Sequence, residues 1–308
     1  MNEYKHVPVM LSEAIDLLGV SEGKTIVDVT LGGAGHFKEI LNKLNNKGIL
    51  IGLDKDSKSI ENAKELFGNF KKVDGDFVKS DSSLTIILSN KNFSNLEEVL
   101  KIHKIEKIDG LLADLGLATD QYKSGLGISY LEDAELDMRM EKGLTVKASD
   151  LLNGLYQNEL EKLFFKLGDV FFAKRLSKEI IQTRLESPIN TTTKLKEIIQ
   201  KIVPFKSRTG TNKHPEAKVF QALRIAVNHE LYNLKQLLPQ AFEALAPGGR
   251  MVIISFHSGE DRIVKEFFNN LESTNKINYL TKLLKPSLTE IAHNSKSHSA
   301  KLRAISKI

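Results

Sequence analysis

The chain has 308 residues, 41% of them hydrophobic and 27% charged, with a formal net charge of +5, which is room for one large domain or two modest ones around a buried core. It contains no cysteine, so disulfides, cysteine-ligated zinc, iron–sulfur clusters and a thiol nucleophile are excluded, and no metal site is expected. No run approaches the ~18 apolar residues of a membrane span, and Met1-Asn2-Glu3-Tyr4-Lys5-His6 lacks the apolar stretch of a secretory leader; a cytoplasmic protein with no membrane partner is expected.

Thr25-Ile26-Val27-Asp28-Val29 is a short β-branched run that predicts a buried strand. The glycine-rich Leu31-Gly32-Gly33-Ala34-Gly35-His36 follows, and Phe37, Ile40, Leu41 and Leu44 then form a helical stripe. Gly48–Leu53 predicts a second strand ending at Asp54, and Ser59–Phe67 a helix. Leu84–Leu88 predicts a third strand, and Ile108–Ala113 a fourth that ends at Asp114. Such alternation implies a parallel sheet with helices on both faces.

The character changes after about residue 123. From Asp150 to Lys201 helix formers dominate, phenylalanines gather at 164, 165, 171 and 172, and no strand is predicted. Ser207–Pro215 reads as a polar, basic loop, and Glu216–Leu237 as one long helix with a stripe at Phe220, Leu223, Val227, Leu231 and Leu234. Leu245-Ala246-Pro247-Gly248-Gly249 is a helix stop with turn chemistry, and Arg250–Phe256 resumes as a buried strand. The expected organisation is an α/β domain (residues 1–122 and 219–308) interrupted by an all-helical insert (residues 123–218). Ser295–Ser299 reads as a polar, mobile stretch.

Charge is uneven. Residues 194–224 hold eight Lys/Arg against two acids, and residues 270–308 hold seven against two, which leaves the remainder net negative. Two basic segments on an otherwise acidic chain suit a polyanion such as RNA; solvated surface charge is the alternative.

A glycine-rich turn between a parallel strand and its helix lets a ligand approach backbone, and the helix N-terminus adds unpaired N–H donors. Asp54 lies 22 residues after Gly32, about the ~20 expected of a carboxylate that accepts from a ribose diol. The dinucleotide fingerprint G-x-G-x-x-G/A fails in both registers, and the P-loop pattern is absent. Asp28-x-Thr-x-Gly-Gly-x-Gly suits S-adenosylmethionine, which has no pyrophosphate to cradle and needs acids for its ammonium and ribose. Gly33, Gly35 and Asp54 are therefore candidate cofactor residues.

These segments resemble the bacterial 16S ribosomal RNA cytosine-N4 methyltransferases, the MraW family. The resemblance runs nearly end to end. It rests on His6–Leu11, Asp28–Gly32 with Gly35-His36, Gly52–Asp56, Asp109–Gly116, Leu136–Met140, Phe220–Ile225 with Asn228, Glu230 and Leu231, Ser255–Ser258 with Glu260–Arg262, and Ser299–Arg303. It implies a class I S-adenosylmethionine-dependent methyltransferase, a Rossmann-like sheet with an inserted all-helical domain. It implies methylation of a cytidine N4 in 16S rRNA, with the small ribosomal subunit as partner. By position it implies cofactor contacts at Ala34, Gly35, His36, Asp54, Phe93, Asp114 and Gln121. Ala34 stands where the family usually has glycine, Leu126 and Ile128 replace an arginine and a phenylalanine, Lys296 and His298 stand at usual arginines, and residues 70–83 read as an insertion.

Cytosine N4 is a poor nucleophile, so in-line positioning carries much of the catalysis. Asp114, at a strand end, is a candidate for the target amine, the cofactor or both. His257 is a candidate proton acceptor or phosphate ligand, or else a histidine that structures a turn. Arg224 and Asn228 share one helix face and are candidate RNA ligands or a polar helix contact. Arg262 is a phosphate ligand or the partner of Glu260 or Asp261. Arg208, Lys213 and His214 are candidates for the RNA backbone. Methylation at cytosine C5 generally needs a cysteine, which this chain lacks. Two other readings stay open: a non-catalytic RNA-binding assembly factor on the same fold, and a nicotinamide-dependent oxidoreductase. The oligomeric state stays open too, a homodimer included.

Overall fold

A computed structural model describes residues 7–116, 125–141, 143–203 and 214–308. The chain divides into two compact units, residues 1–117 with 231–308, and residues 118–230.

In the first unit the elements run α1 (Leu11–Leu18), β1 (Thr25–Asp28), α2 (Gly35–Leu44), β2 (Gly48–Leu53), α3 (Ser57–Phe67), β3 (Lys71–Val73), β4 (Asp76–Ser80), β5 (Leu84–Ser89), α4 (Leu96–Ile102) and β6 (Ile108–Asp114). After the second unit come β7 (Leu245–Ser255), α11 (Ser258–Ser273), β8 (Ile277–Leu284), α12 (Leu288–His293) and β9 (Lys301–Lys307). They form one nine-stranded sheet in the order β3-β4-β5-β2-β1-β6-β7-β9-β8. The central pairings β5-β2-β1-β6-β7 are parallel, and β9 inserts antiparallel between β7 and β8. The chain steps outward from β1 through β2 to β5, then crosses back to place β6 on the other side of β1. The order therefore reverses between β1 and β6, and ligands of open α/β sheets bind outside the carboxyl ends of the strands at such a point.

Period-two alternation builds a core on each face. Ile26, Leu50, Leu112 and Ile254 pack with Ile15, Leu18, Phe37 and Ile40 of α1 and α2 on one face. Val27, Ile51, Leu111 and Ile253 pack on the other with Leu96 and Val99 of α4 and Val264 and Phe268 of α11. Phe37 is fully buried; its truncation to alanine costs about 3–5 kcal/mol. Residues 70–83, read above as an insertion, hold the antiparallel β3–β4 hairpin on the sheet edge. Buried Asp76 pins it through a 2.9 Å contact with His103 at the end of α4.

The second unit is helical, as expected: α5 (Ala148–Gly154), α6 (Gln157–Gly168), α7 (Ala173–Glu186), α8 (Thr192–Ile202) and α9 (Pro215–Val227). Among its described residues an isolated β-bridge joins Glu135 to Thr191. Helices α6 and α9 meet closely at Gly168, where a Cβ would stand 2.5 Å from the Lys218 carbonyl. Of the four phenylalanines, Phe164 is fully buried while Phe165 and Phe171 are exposed.

Four expectations need correction. The long helix Glu216–Leu237 is two helices, α9 and α10 (Glu230–Ala244), because His229 takes left-handed φ, and the buried Asn228 side chain ties the junction to Met138 and Met140. The insert consequently extends to residue 230 rather than 218, since α9 packs on α6. The turn at Leu245–Gly249 does follow the end of α10, but it lies within β7 as an irregularity between the Leu245–Ile108 and Arg250–Gly110 pairings. Ser295–Ser299 is a 3-10 turn with Ser297 fully buried and its hydroxyl on the Asn294 carbonyl. Among the described residues no helix is long and apolar enough to cross a membrane.

Candidate active site

The tips of β1, β2 and β6 carry Asp28, Asp54 and Asp114. Thr30 follows β1 and ties two of them together. Its amide donates to Asp28 Oδ1 at 3.0 Å, and its hydroxyl oxygen accepts from the Asp114 amide at 2.6 Å. Residues 31–34 then turn. Gly32 and Ala34 take left-handed φ of 45° and 60°, Gly33 sits half-buried between them, and α2 begins at Gly35. At Gly35 a Cβ would lie 2.2 Å from Pro8 Cγ, so glycine is required by close packing.

Asp54 shapes the same turn. Its Oδ2 accepts from the Gly32 amide and its Oδ1 from the Asp56 amide, both at 2.8 Å. A carboxylate has about four lone-pair sites, so acceptor capacity remains for a diol. Burial pushes the Asp54 pKa up, against the two amide bonds that lower it. Asn90 donates to the Asp54 carbonyl at 2.8 Å. Phe93 opens a 3-10 turn capped by the Asn92 side chain and is half-buried against the adjoining core.

His36 is buried, and burial holds its pKa down. Its Nε2 lies 3.1 Å from the Val9 carbonyl, which can only accept. Nε2 therefore carries the proton, and Nδ1 presents a lone pair 3.7 Å from Asp114 Oδ2. Burial and the negative charge of Glu260 push Asp114 up to about 7, against an amide bond from Gly116. Burial likewise raises Asp28 to about 6. Asp114 Oδ1 is buried with no hydrogen-bond partner among the described residues. Buried acceptors are normally paired, so an orphaned Oδ1, on a carboxylate whose Oδ2 faces an imidazole lone pair, fits a ligand that brings N–H donors or positive charge. The donor set suits a cofactor with an ammonium, a sulfonium and a ribose diol.

His257 is placed differently from its expected catalytic role. It is the N-cap of α11: its Nδ1 accepts from the Glu260 amide at 3.4 Å, while Glu260 Oε2 takes the amides of Phe256 and His257. Its Nε2 lies 3.1 Å from Glu260 Oε1 but makes no aligned hydrogen bond among the described residues. Arg262 is exposed on α11. Of its expected partners, Asp261 binds Lys301 and Arg303, and Glu260 is engaged in the cap.

In the helical unit, two expected RNA ligands are inward-facing. The Arg224 guanidinium bridges both oxygens of Glu230 at 2.8 Å and is mostly buried. Asn228 is buried, donating to the Met138 and Arg224 carbonyls and accepting from the Met140 amide. Both are spent on holding the chain where α9 ends. His214 is exposed just before α9. Gln121, Arg208 and Lys213 lie outside the described residues. The basic C-terminal segment is partly neutralised from within, by Lys301 and Arg303 on Asp261 and Lys282 on Glu272.

The sequence reading gave Glu260 and the segment 7–10 no part in this site, and quoted Thr30 only within the Asp28-x-Thr motif without its tie to Asp114. Asp28-x-Thr has the spacing of a local side-chain turn, and that signal was there to be read.

The profile of the MraW methylase family matches residues 3–308. A protein of Caldicellulosiruptor saccharolyticus named ribosomal RNA small subunit methyltransferase H is 41% identical over 99% of this chain and 100% of its own length. Proteins of the same name from Clostridioides difficile and Mycoplasma mycoides are each 39% identical, over 99% and 98% of this chain and 100% and 99% of theirs.

Proposed function

The chain belongs to the MraW methylase family, and from that premise we propose that it methylates the exocyclic N4 of a cytidine in the 16S rRNA of the small ribosomal subunit. The methyl donor is S-adenosylmethionine, which supplies an electrophilic methyl when bound. Family membership sets the nicotinamide reading aside. The observation that carries the proposal is the buried Asp114 Oδ1, without a partner among the described residues, at the switch point of the sheet.

On this reading Gly33, Ala34, Gly35 and His36 form the backbone cradle, and Asp54 accepts from the ribose hydroxyls. Phe93 offers an apolar face to the adenine, and Gln121 belongs to the same shell by family position. Asp114 Oδ1 accepts an N–H of the target amine, which holds the nitrogen lone pair toward the methyl. As the N–C bond forms the amine becomes acidic, and a carboxylate titrating at about 7 matches the working pH of a proton acceptor. His36 is kept neutral by burial, so it places no positive charge beside Asp114 that would make the carboxylate a weaker proton acceptor. The absence of cysteine supports a nitrogen acceptor over cytosine C5. His257 contributes by fixing the β7–α11 junction. Arg208, Lys213, His214 and Arg262 contact the RNA backbone, and Arg224 and Asn228 shape the surface that presents it.

Transfer of a tritiated methyl to small subunits, followed by nuclease digestion and chromatography, tests the proposal. Label in N4-methylcytidine supports it. Label in another nucleoside, or folded protein that binds the subunit without transferring label, overturns it, the latter in favour of an assembly factor.

A further inference from the structure

The geometry points to Glu290 and Asn294 as positioning residues for the glycine turn, acting through the backbone of residues 7–10. The inference rests on reading that turn as the cofactor cradle. Residues 7–10 cross the turn as a strap. Pro8 packs directly on Gly35. The Val9 carbonyl holds the His36 ring, and Val9 and Met10 are buried in the core beneath.

What holds the strap comes from the far end of the chain. Met10 takes left-handed φ of 51° and precedes α1 without a side-chain cap of its own, a conformation that persists only where surroundings impose it. Its amide donates to Glu290 Oε1 at 3.2 Å, across 280 residues of sequence. Asn294, buried, donates from Nδ2 to the Val7 carbonyl at 3.2 Å, across 287 residues. Both ends of the strap are thus tied to one short segment. That segment has little reason of its own to be ordered. Helix α12 has six residues and buries none of them, well short of the ~12 that stabilise an isolated helix. Its anchors are Asn294, the buried Ser297 and these two bonds.

The consequence reaches the reacting groups through His36. With the strap seated, the Val9 carbonyl keeps the proton on Nε2, and Nδ1 faces Asp114. Glu290 also lies close enough to act on His36 by its charge. With the strap loosened, the ring loses its fixed tautomer and the turn loses its outer wall at Gly35.

Calorimetry with S-adenosylhomocysteine, an unreactive probe, tests this on the full chain. Glu290→Ala and Asn294→Ala are each expected to weaken binding about fivefold, the worth of one net hydrogen bond. Glu290→Gln keeps an acceptor for the Met10 amide and should recover most of the affinity. In the ligand-free protein the ¹⁵N signature of His36 should shift from the Nε2–H tautomer toward a mixture in the alanine variants only. Asn294→Ala carries the same test from the other end of the strap if Glu290→Ala does not fold. Wild-type affinity in both alanine variants, with an unchanged His36 signal, overturns the inference even if their melting temperatures fall. Failure of the wild type to bind the probe, or an Asp54→Ala variant that binds it normally, instead overturns the cofactor reading of the turn.

Discussion

Asp114→Asn removes a charge while keeping the shape of the side chain, so it separates what the carboxylate costs the fold from what it gives the reaction. Burial and Glu260 lift this group from 3.8 to about 7. The folded protein therefore keeps the proton across a pH range in which the unfolded chain has lost it. The stability tied to that proton is fully present below about pH 4 and is lost as pH rises through 7. A shift of this size corresponds to about 4 kcal/mol above pH 7, released when the residue cannot ionise. In urea titrations without ligand, Asp114→Asn should match wild type near pH 4 and exceed it at pH 8.5 by up to about 4 kcal/mol. Methyl transfer should move the opposite way. The wild-type rate should rise with pH and level off above about 7, where Asp114 is ionised. The asparagine variant, unable to take a proton, should be slow and flat, with its RNA affinity little changed. A stability difference that does not depend on pH refutes the burial argument. Wild-type turnover in the variant refutes the role at the amine.

If His257 is a cap, His257→Asn should retain it and keep near-normal transfer, while His257→Ala should lose about 0.5–2 kcal/mol in thermal unfolding; a large rate loss in a stable His257→Asn protein would restore a catalytic role. Asn228→Ala strands the Met140 amide and the Met138 carbonyl, so it should destabilise the helical unit by about 1–3 kcal/mol, read by chemical denaturation; unchanged stability with weakened RNA binding would return Asn228 to the RNA surface. Neutralising Lys206, Arg208 and Lys213 together should reduce the log–log salt dependence of RNA binding by about 0.7–0.9 per lost phosphate contact, with cofactor affinity untouched; an unaltered slope removes these three residues from the RNA interface.

Much of the first unit was legible because its signals are local. β-branched runs ending at Asp28, Asp54 and Asp114, separated by helical stripes, predict parallel strands with acids at their carboxyl ends, and the sheet delivers that arrangement. Periodicity shows which face of an element is buried, and a glycine-rich turn shows where backbone must come close. The break between α9 and α10 was not legible, because the apolar stripe continues through it; the side-chain bonds that fix Asn228 at the break go to Met138 and Met140, about 90 residues away. The same limit applies to charge. Arg224, Arg303 and Lys301 count toward basic segments in the sequence, yet folding spends them on Glu230 and Asp261. The sequence could name His36 and Asp114 but not their relation. Only the tertiary structure brings Val9 onto one nitrogen of His36 and Asp114 opposite the other, and leaves one carboxylate oxygen of Asp114 without a partner among the described residues. Residue type fixes which groups can donate and accept, whereas burial and long-range pairing decide which of them are still unpaired once the chain has folded.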